Sequence, residues 1–260
     1  MSEHGGVRNP FDTDQAARRY ARARPYYHRS ALRLAARQQK IGPARVAVDV
    51  GCGTGMSARA ARDVADHVIA IDASAAMLRA AERYPRVCYL LAAAERIPLG
   101  DASADLATVG GAFHWFDQPS AFAELARVLR DGAGLVVYSD FFHGRLDGQP
   151  AFATWLTDSY LARYPSPIRH AQFDPEAAER SGFGHVAVCE SEYRVRMSRA
   201  ALAAYLLSQS NAARAIETGV TSAETLRKQI IDETAPYFDG RDRPGAMFGV
   251  RVWTAIRRRH

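Results

Sequence analysis

The sequence predicts an α/β fold with a doubly wound parallel sheet. Strand-like apolar runs alternate with helix-length segments between about residues 45 and 142, and strands separated by helices of this length imply parallel crossover connections. A loop with glycines at every second position, Gly51, Gly53 and Gly55, joins the first strand to the helix that follows it. Glycine lets the backbone approach a ligand closely, so the loop indicates a nucleotide site.

The predicted elements follow a regular order as far as residue 142. Residues 13–39 are expected to be helical, with a break at Pro25 because proline interrupts a helix. Ser74 is placed to cap the helix that follows the second strand. The predicted strands cover residues 45–51, 67–74, 87–93, 104–113 and 134–142, and the helices between them cover 56–66, 74–84 and 119–130.

Beyond residue 142 helices predominate in the prediction. No internal repeat and no low-complexity linker separates this part of the chain from the preceding part. The later helices are therefore expected to form a lid on the sheet rather than an independent domain. They are predicted at residues 151–164, 175–183, 199–216 and 222–238, with strands at 185–197 and 245–258.

The composition predicts a globular protein without a membrane segment. The chain has 260 residues, 48% of them hydrophobic, yet no run approaches the roughly 18 apolar residues that cross a bilayer. The first residues lack the apolar segment of a secretory leader, so a cytoplasmic location is expected. Three scattered cysteines, Cys52, Cys88 and Cys189, are too few for a disulfide framework and are expected to be free thiols.

The net charge of +6 raises the question of a nucleic-acid partner. Only two of the 34 basic residues are lysines, so much of the arginine content is compatible with a coding bias. Basic residues are dense only at residues 18–29 and 257–260. We interpret both tracts as solvated faces, and no nucleic-acid partner is expected.

The spacing of the glycines distinguishes between nucleotide ligands. The dinucleotide fingerprint is GxGxxG, whereas this loop is GxGxG and follows Asp49 by two residues. A carboxylate at that place disfavours a pyrophosphate and favours a cationic ligand. Asp72 ends the next strand, about 20 residues after the loop, where an acidic residue accepts hydrogen bonds from ribose hydroxyls.

Four stretches of sequence, taken in order, resemble the class I S-adenosylmethionine-dependent methyltransferases. VDVGCGTG at residues 48–55 resembles their motif I, and IDAS at 71–74 resembles motif II. AAAERIPLGDASADLATVGGAFHWFD at 92–117 is similar to the trans-aconitate methyltransferase-like, small-molecule branch with the methyltransferase type 11 domain. YARARPYY at 20–27 resembles the start of that branch, although His28 stands where a proline is usual.

The resemblance implies a Rossmann-like, seven-stranded doubly wound sheet with strand 7 antiparallel and a helical lid. It implies S-adenosyl-L-methionine as the cofactor and S-adenosyl-L-homocysteine as the product. The corresponding regions are an N-terminal helical cap at residues 1–40, a cofactor-binding core at 41–141, lid helices with strand 6 at 142–243, and a closing strand at 244–260.

Carried onto this sequence, the resemblance implies cofactor contacts residue by residue. The loop glycines would approach the methionine part and the ribose, Asp49 would face the amino end, and Asp72 would hold the ribose hydroxyls. Arg24 could pair with the cofactor carboxylate, whereas Met77 beside the adenine could equally be core. The cofactor-binding candidates are Tyr20, Arg24, Asp49, Gly51, Gly53, Gly55, Asp72, Ala73, Met77, Ala94, Glu95, Gly110 and Gly111.

Two histidines are the candidate catalytic bases. His114 follows the strand whose end is expected to face the transferable methyl group, although a packing role for it stays open. His28 is the second candidate, and His143 is an alternative. No metal is expected, because Asp140 is a single carboxylate without clustered partners. The candidate substrate contacts are Tyr27, Trp115 and Phe142.

The predicted function is methyl transfer from S-adenosylmethionine to an oxygen or nitrogen atom of a small metabolite. An aromatic or carboxylate-bearing acceptor is favoured by the aromatic residues and arginines of the lid, and natural-product biosynthesis is one setting for such a reaction. No membrane partner is expected, and the protein is expected to be a monomer or a homo-oligomer. The alternatives are an RNA or other nucleic-acid methyltransferase, a nicotinamide oxidoreductase, and a cofactor-binding protein with other chemistry.

Overall fold

The computed structural model describes residues 11–39, 41–167, 173–238 and 243–259. Some expectations fall outside these ranges. The expected absence of a secretory leader concerns residues 1–10, the predicted cap ends at Lys40, and the terminal basic tract ends at His260. The division into four regions remains a prediction.

Seven strands form one sheet in the order β3-β2-β1-β4-β5-β7-β6. Strands β1 to β5 run parallel, and β7 lies antiparallel between β5 and β6. This arrangement confirms the predicted fold class. The strands are β1 (Ala44–Val50), β2 (Ala65–Asp72), β3 (Val87–Leu91), β4 (Ala104–Gly110), β5 (Leu129–Leu146), β6 (Phe183–Arg196) and β7 (Gly245–Arg257).

The helices lie on both faces of the sheet and above it. A 3₁₀ turn spans Phe113–Trp115, and a π-helical segment spans Leu156–Leu161. Ser74 caps the helix Ala75–Ala80 as predicted, because its hydroxyl accepts a hydrogen bond from the Met77 amide at 3.2 Å. The α-helices are α1 (Asp14–Ala23), α2 (His28–Gln38), α3 (Met56–Ala61), α4 (Ala75–Ala80), α5 (Gln118–Val128), α6 (Ala151–Trp155), α7 (Pro175–Arg180), α8 (Arg199–Leu207), α9 (Ser210–Glu217) and α10 (Ala223–Thr234).

Several helices differ from the prediction in their bounds, and hydrogen bonds explain two of the differences. The predicted helix at 199–216 is two helices, because the Ser208 hydroxyl turns back to the Tyr205 carbonyl at 2.7 Å where α8 ends. The helix predicted to end at residue 66 ends at Ala61. There the amides of Asp63 and Val64 bond to carbonyls three residues back, which tightens the chain before β2 begins.

Apolar side chains of successive strand residues pack on opposite faces of the sheet. Val48 and Val109 point to the side covered by α5, where Phe122 is fully buried. Ala47 and Val136 point to the side covered by α2 and α3, where Leu32 packs. Strands that are buried on both faces have almost continuously apolar sequences. This is why Asp49 is the one polar residue among residues 46–50.

The later helices form a lid with a hydrophobic core of its own. Phe152, Leu202 and Leu226 from three lid helices are fully buried around Phe248 of β7. Phe248 belongs to the part of β7 that pairs with Phe142 of β5, so the long outer strands anchor the lid to the sheet. Within the described ranges no helix has both the length and the apolar character needed to cross a membrane.

Candidate functional site

A cavity of about 310 Å³ lies where the carboxyl ends of β1, β2 and β4 meet the N-terminal helices and the lid. Such crevices are where ligands bind in doubly wound sheets. The structure brings twelve sequence-predicted residues together around it. They are Tyr20, Arg24, His28, Gly51, Gly53, Asp72, Met77, Gly110, Gly111, His114, Trp115 and Phe142.

The three loop glycines have backbone conformations that favour glycine, but for different steric reasons. Gly51, Gly53 and Gly55 have φ angles of +68°, +53° and +85°. A Cβ on Gly51 would lie 2.5 Å from the Ala112 Cβ, and one on Gly55 would lie 2.5 Å from the Tyr89 hydroxyl. A Cβ on Gly53 would meet no atom within 4 Å. Gly53 therefore leaves open space in the cavity, and Gly51 and Gly55 allow close packing.

Asp72 joins the glycine loop to the end of β2. Its carboxylate accepts hydrogen bonds from the Gly53 amide at 2.7 Å and from the Ser74 amide at 2.8 Å. Burial raises the pKa of this carboxyl above its ordinary value, and the two amides oppose the shift. Each carboxylate oxygen keeps a further lone pair, so these acceptor positions suit the hydroxyls of a ribose.

Asp49 lies beneath the loop and does not line the cavity. Both of its oxygens are engaged by hydroxyls, Ser57 at 2.6 Å and Thr108 at 2.6 Å. The side chain is fully buried and thereby ties β1 to α3 and β4. Burial raises its pKa to about 7, partly offset by the two hydrogen bonds. In this geometry Asp49 supports the loop from behind.

The raised pKa of Asp49 leads to a pH prediction for stability. Its folded-state pKa of about 7 lies above the ordinary value of 3.8, so the folded protein keeps a proton that the unfolded chain loses. The stability from that proton is complete below the unfolded pKa and is lost as the pH rises through the folded pKa. We expect the melting temperature of the wild type, relative to that of Asp49→Asn, to decrease as the pH rises from about 4 to about 7. Parallel melting profiles would contradict this prediction.

Arg24 links the N-terminal helices to the lid. Its Nη2 donates to the Ser208 carbonyl at 3.1 Å, and its guanidinium lies 4.8 Å from the Tyr20 ring centroid and 5.5 Å from that of Tyr205. Its buried Nε has no hydrogen-bond partner among the described residues. A buried N–H of a guanidinium at the cavity wall suits a ligand carboxylate.

The candidate histidines differ in their surroundings. His28 is buried, its Nδ1 lies 3.1 Å from the Tyr138 hydroxyl, and its ring stacks on Tyr27 at 4.4 Å. Burial, together with the positive charge of Arg24, lowers its pKa to about 3, so it stays neutral at physiological pH. His114 is buried beside Trp115 and lines the cavity.

The other predicted residues lie at varied distances from the cavity. Phe142 lines it and packs on Phe248 at 5.1 Å, and Trp115 packs with Phe11 and Met77. Six predicted residues are absent from its lining. Ala73 is exposed, and Ala94 is buried in the core. Glu95 accepts a hydrogen bond from the Asp117 amide at 2.9 Å, and Tyr27 is buried behind His28. Asp49 lies beneath the loop, and Gly55 of the loop packs against the Tyr89 hydroxyl.

Sequence reasoning missed several residues that line the cavity. Ser139 and Asp140 lie within β5, where the apolar run of the strand ends, a position that could have marked them. The sequence analysis considers Asp140 only as a metal ligand and argues against that role. Asn211 comes from the lid, where no pattern in the sequence indicates which face a helix turns inward. The lid residues Tyr160 and Tyr205 also line the cavity, and they belong to the aromatic residues that the sequence analysis assigns to the acceptor pocket. In the described parts of the chain, no group of three metal-ligating side chains is found.

Comparison with known proteins shows that part of this chain is similar to methyltransferases. Residues 48–137 match the family described as Methyltransferase domain. Malonyl-[acyl-carrier protein] O-methyltransferase of Pectobacterium atrosepticum is 33% identical over 135 residues, which are 47% of this chain and 53% of that protein. An uncharacterized methyltransferase of Mycobacterium tuberculosis is 39% identical over 119 residues, 45% of this chain and 46% of that protein. The matches thus span about half the length of these curated relatives.

One solved structure is similar over nearly the whole chain. It is a candidate type II methyltransferase from Anaeromyxobacter dehalogenans, with a TM-score of 0.66 and 27% sequence identity. The similarity covers 91% of this chain and 99% of that one. It therefore includes the lid as well as the sheet, whereas the family match covers only the sheet region that bears the glycine loop.

Proposed function

We propose that this chain, whose residues 48–137 form a class I methyltransferase domain, is an S-adenosylmethionine-dependent enzyme. It transfers a methyl group to an oxygen or nitrogen atom of a small metabolite, in the cavity between the sheet and the lid. The match over those residues confirms the predicted methyltransferase family for this domain, and the trans-aconitate methyltransferase-like branch stays a prediction. The identity of the cofactor and the class of the acceptor are parts of the proposal.

The observation that carries the proposal is the fit between the cavity wall and the cofactor. Gly53 presents backbone with empty space in front of it, and Asp72 offers acceptor positions beside it. The buried Nε of Arg24 lacks a protein partner in the described chain. These features would hold a ribose and a carboxylate at opposite ends of one ligand.

The cofactor supplies, when bound, a methyl group already activated on a sulfonium. The chain therefore has to position the acceptor and exclude water. Tyr20 and Arg24 from the N-terminal helices, together with Tyr205 from α8, close the side of the cavity opposite the sheet. Since Arg24 also donates a hydrogen bond to the carbonyl of Ser208, its side chain connects the N-terminal helices to the lid.

The acceptor half of the cavity supports a small, partly aromatic substrate. Phe141 and Phe142 of β5 line it, as do Leu156 and Tyr160 of the lid. The relative from Pectobacterium is named for methylating malonyl-[acyl-carrier protein], which is compatible with an acceptor that bears a carboxylate. A cavity of about 310 Å³ favours a small group over a folded nucleic acid.

Product analysis tests this proposal. The purified protein is incubated with S-adenosylmethionine and a panel of phenols, amines and carboxylic acids, and the products are analysed by mass spectrometry. We expect at least one panel member to gain the mass of a methyl group in place of a hydrogen, with equimolar S-adenosylhomocysteine. Methylation of bulk RNA or DNA without any small-molecule product would contradict the proposal and favour the nucleic-acid alternative.

A further inference from the structure

A carboxylate faces the cavity on the acceptor side. Asp140 lies on β5 opposite Val250 of β7, two residues beyond the position where β5 pairs with Gly110 of β4. Its neighbours Ser139, Phe141 and Phe142 also line the cavity. Asp140 therefore lies on the strand that carries the acceptor-side aromatic residues, away from Asp72 at the end of β2.

Tyrosine hydroxyls hold this carboxylate. The Tyr193 hydroxyl donates to its Oδ2 at 3.3 Å, and the Tyr27 hydroxyl also lowers the pKa of this carboxyl. Burial raises the pKa of both tyrosines, so both remain protonated donors. The Tyr193 ring is fixed between Tyr27 and Phe248, stacked on them at 6.3 and 5.3 Å. Asp140 thus accepts its hydrogen bond from a neutral donor whose ring is held by stacking.

No cation neutralises Asp140 directly. Among the described residues, no arginine or lysine nitrogen lies within 4.0 Å of its oxygens. Arg24 acts on it only at longer range and lowers its pKa, as do the tyrosine hydrogen bonds, but burial outweighs them and the pKa is raised. Asp140 consequently binds a proton more readily than an exposed aspartate does.

Among the charged side chains around the cavity, Asp140 is the one to which the proposed function gives no role in cofactor binding. The charged side chains of the described lining are Arg24, Asp72 and Asp140. The proposed function uses Asp72 for the ribose and Arg24 for the carboxylate of the cofactor. His28 cannot take its place as a base, because its lowered pKa of about 3 opposes formation of an imidazolium beside Arg24.

We propose that Asp140 receives the proton of the acceptor, so that the methylated atom is a protonated nucleophile, an amine, phenol or alcohol, and not a carboxylate oxygen. This inference rests on the proposed function. The acceptor's X–H bond breaks and its proton goes to the Asp140 carboxylate. The X lone pair forms the new bond to the methyl carbon, whose bond to sulfur breaks with the electron pair staying on sulfur. The product is an N-methyl amine or a methyl ether.

A matched pair of probes tests Asp140 whatever the natural acceptor is. Benzylamine and benzoate share a ring and carry opposite charges, and each is titrated into the protein with and without saturating S-adenosylhomocysteine. We expect benzylamine to bind about tenfold or more tightly than benzoate, and Asp140→Asn to remove that preference. Equal affinities, tighter binding of benzoate, or an unchanged preference in Asp140→Asn would overturn the inference.

The pH dependence separates a proton-accepting group from a structural one. Benzylamine binding is expected to weaken as the pH falls through the pKa of Asp140, because the carboxylate then loses its charge. In Tyr193→Phe, which removes one donor to the carboxylate, the midpoint of this loss is expected to move to higher pH. An unchanged midpoint would contradict the positioning role of Tyr193.

The affinity for S-adenosylhomocysteine distinguishes failure of the proposed function from failure of the inference about Asp140. Asp140→Asn is expected to bind it as the wild type does, which also shows that the variant is folded. Absence of binding in the wild type would contradict the proposed function, while the titrations of the unloaded protein would still test Asp140. Normal binding combined with no probe preference would overturn the role of Asp140 alone.

Discussion

Replacing Gly53 by alanine is expected to weaken the binding of S-adenosylhomocysteine by about a hundredfold or more, roughly 2.8 kcal/mol. The added Cβ would meet no protein atom within 4 Å, so it would project into the space that the proposed ligand occupies. The left-handed backbone at φ +53° adds a strain of about 1–2 kcal/mol to folding. Calorimetric titration measures the affinity, and thermal melting measures the strain.

Two glycine variants serve as controls for this prediction. Gly219 in the lid has φ +73° and likewise leaves open space where a Cβ would be added, but it does not line the cavity. Gly219→Ala is therefore expected to show the backbone strain with normal ligand affinity. Gly51→Ala would place its Cβ 2.5 Å from that of Ala112, so it is expected to lower the stability of the fold as well. Equal ligand affinities of Gly53→Ala and Gly219→Ala would show that no ligand approaches Gly53.

Replacing Asp72 by alanine is expected to weaken cofactor binding by about 1–3 kcal/mol, the scale of lost charge-assisted hydrogen bonds. Two effects contribute. The carboxylate that would accept the ribose hydroxyls is removed, and the Gly53 amide loses the acceptor that fixes the loop at 2.7 Å. The affinity for S-adenosylhomocysteine is measured by calorimetry.

Asp105 offers a matched control at the other end of the sheet. Its carboxylate also accepts two backbone amides, those of Arg45 at 3.0 Å and Val46 at 2.9 Å, near the start of β1. Asp105→Ala therefore removes the same kind of interaction far from the cavity, together with an ion pair to Arg130, and is expected to reduce stability without changing affinity. If both variants reduced the affinity equally, the effect of Asp72 would be attributable to general destabilisation.

The sheet and the glycine loop could be predicted because their signals are local. Buried parallel strands give apolar runs, and the loop glycines follow the run that ends at Val50. Helix ends were harder to predict, because they depend on hydrogen bonds such as that from the Ser208 hydroxyl. The path of the lid depends on packing around Phe248, which lies far along the chain from the helices it contacts.

The residues that form the site could be predicted from the sequence better than their orientations and contacts could. Asp49 has the sequence position of a ligand-facing carboxylate, yet its orientation depends on Thr108, which is 59 residues away. The low pKa of His28 follows from burial and from Arg24, neither of which its position in the sequence indicates. Asp140 gains its significance from Tyr193 on β6, which local sequence patterns do not connect to it.

Calorimetric titration of the wild type with S-adenosylhomocysteine, with NAD as the comparator, decides whether the cavity is a site for the methyl-donor cofactor. We expect saturable binding of S-adenosylhomocysteine at one site per chain and no binding of NAD, because the GxGxG loop and the open space at Gly53 suit the former ligand. Absence of S-adenosylhomocysteine binding, or preferential binding of NAD, would contradict the assignment of the cavity.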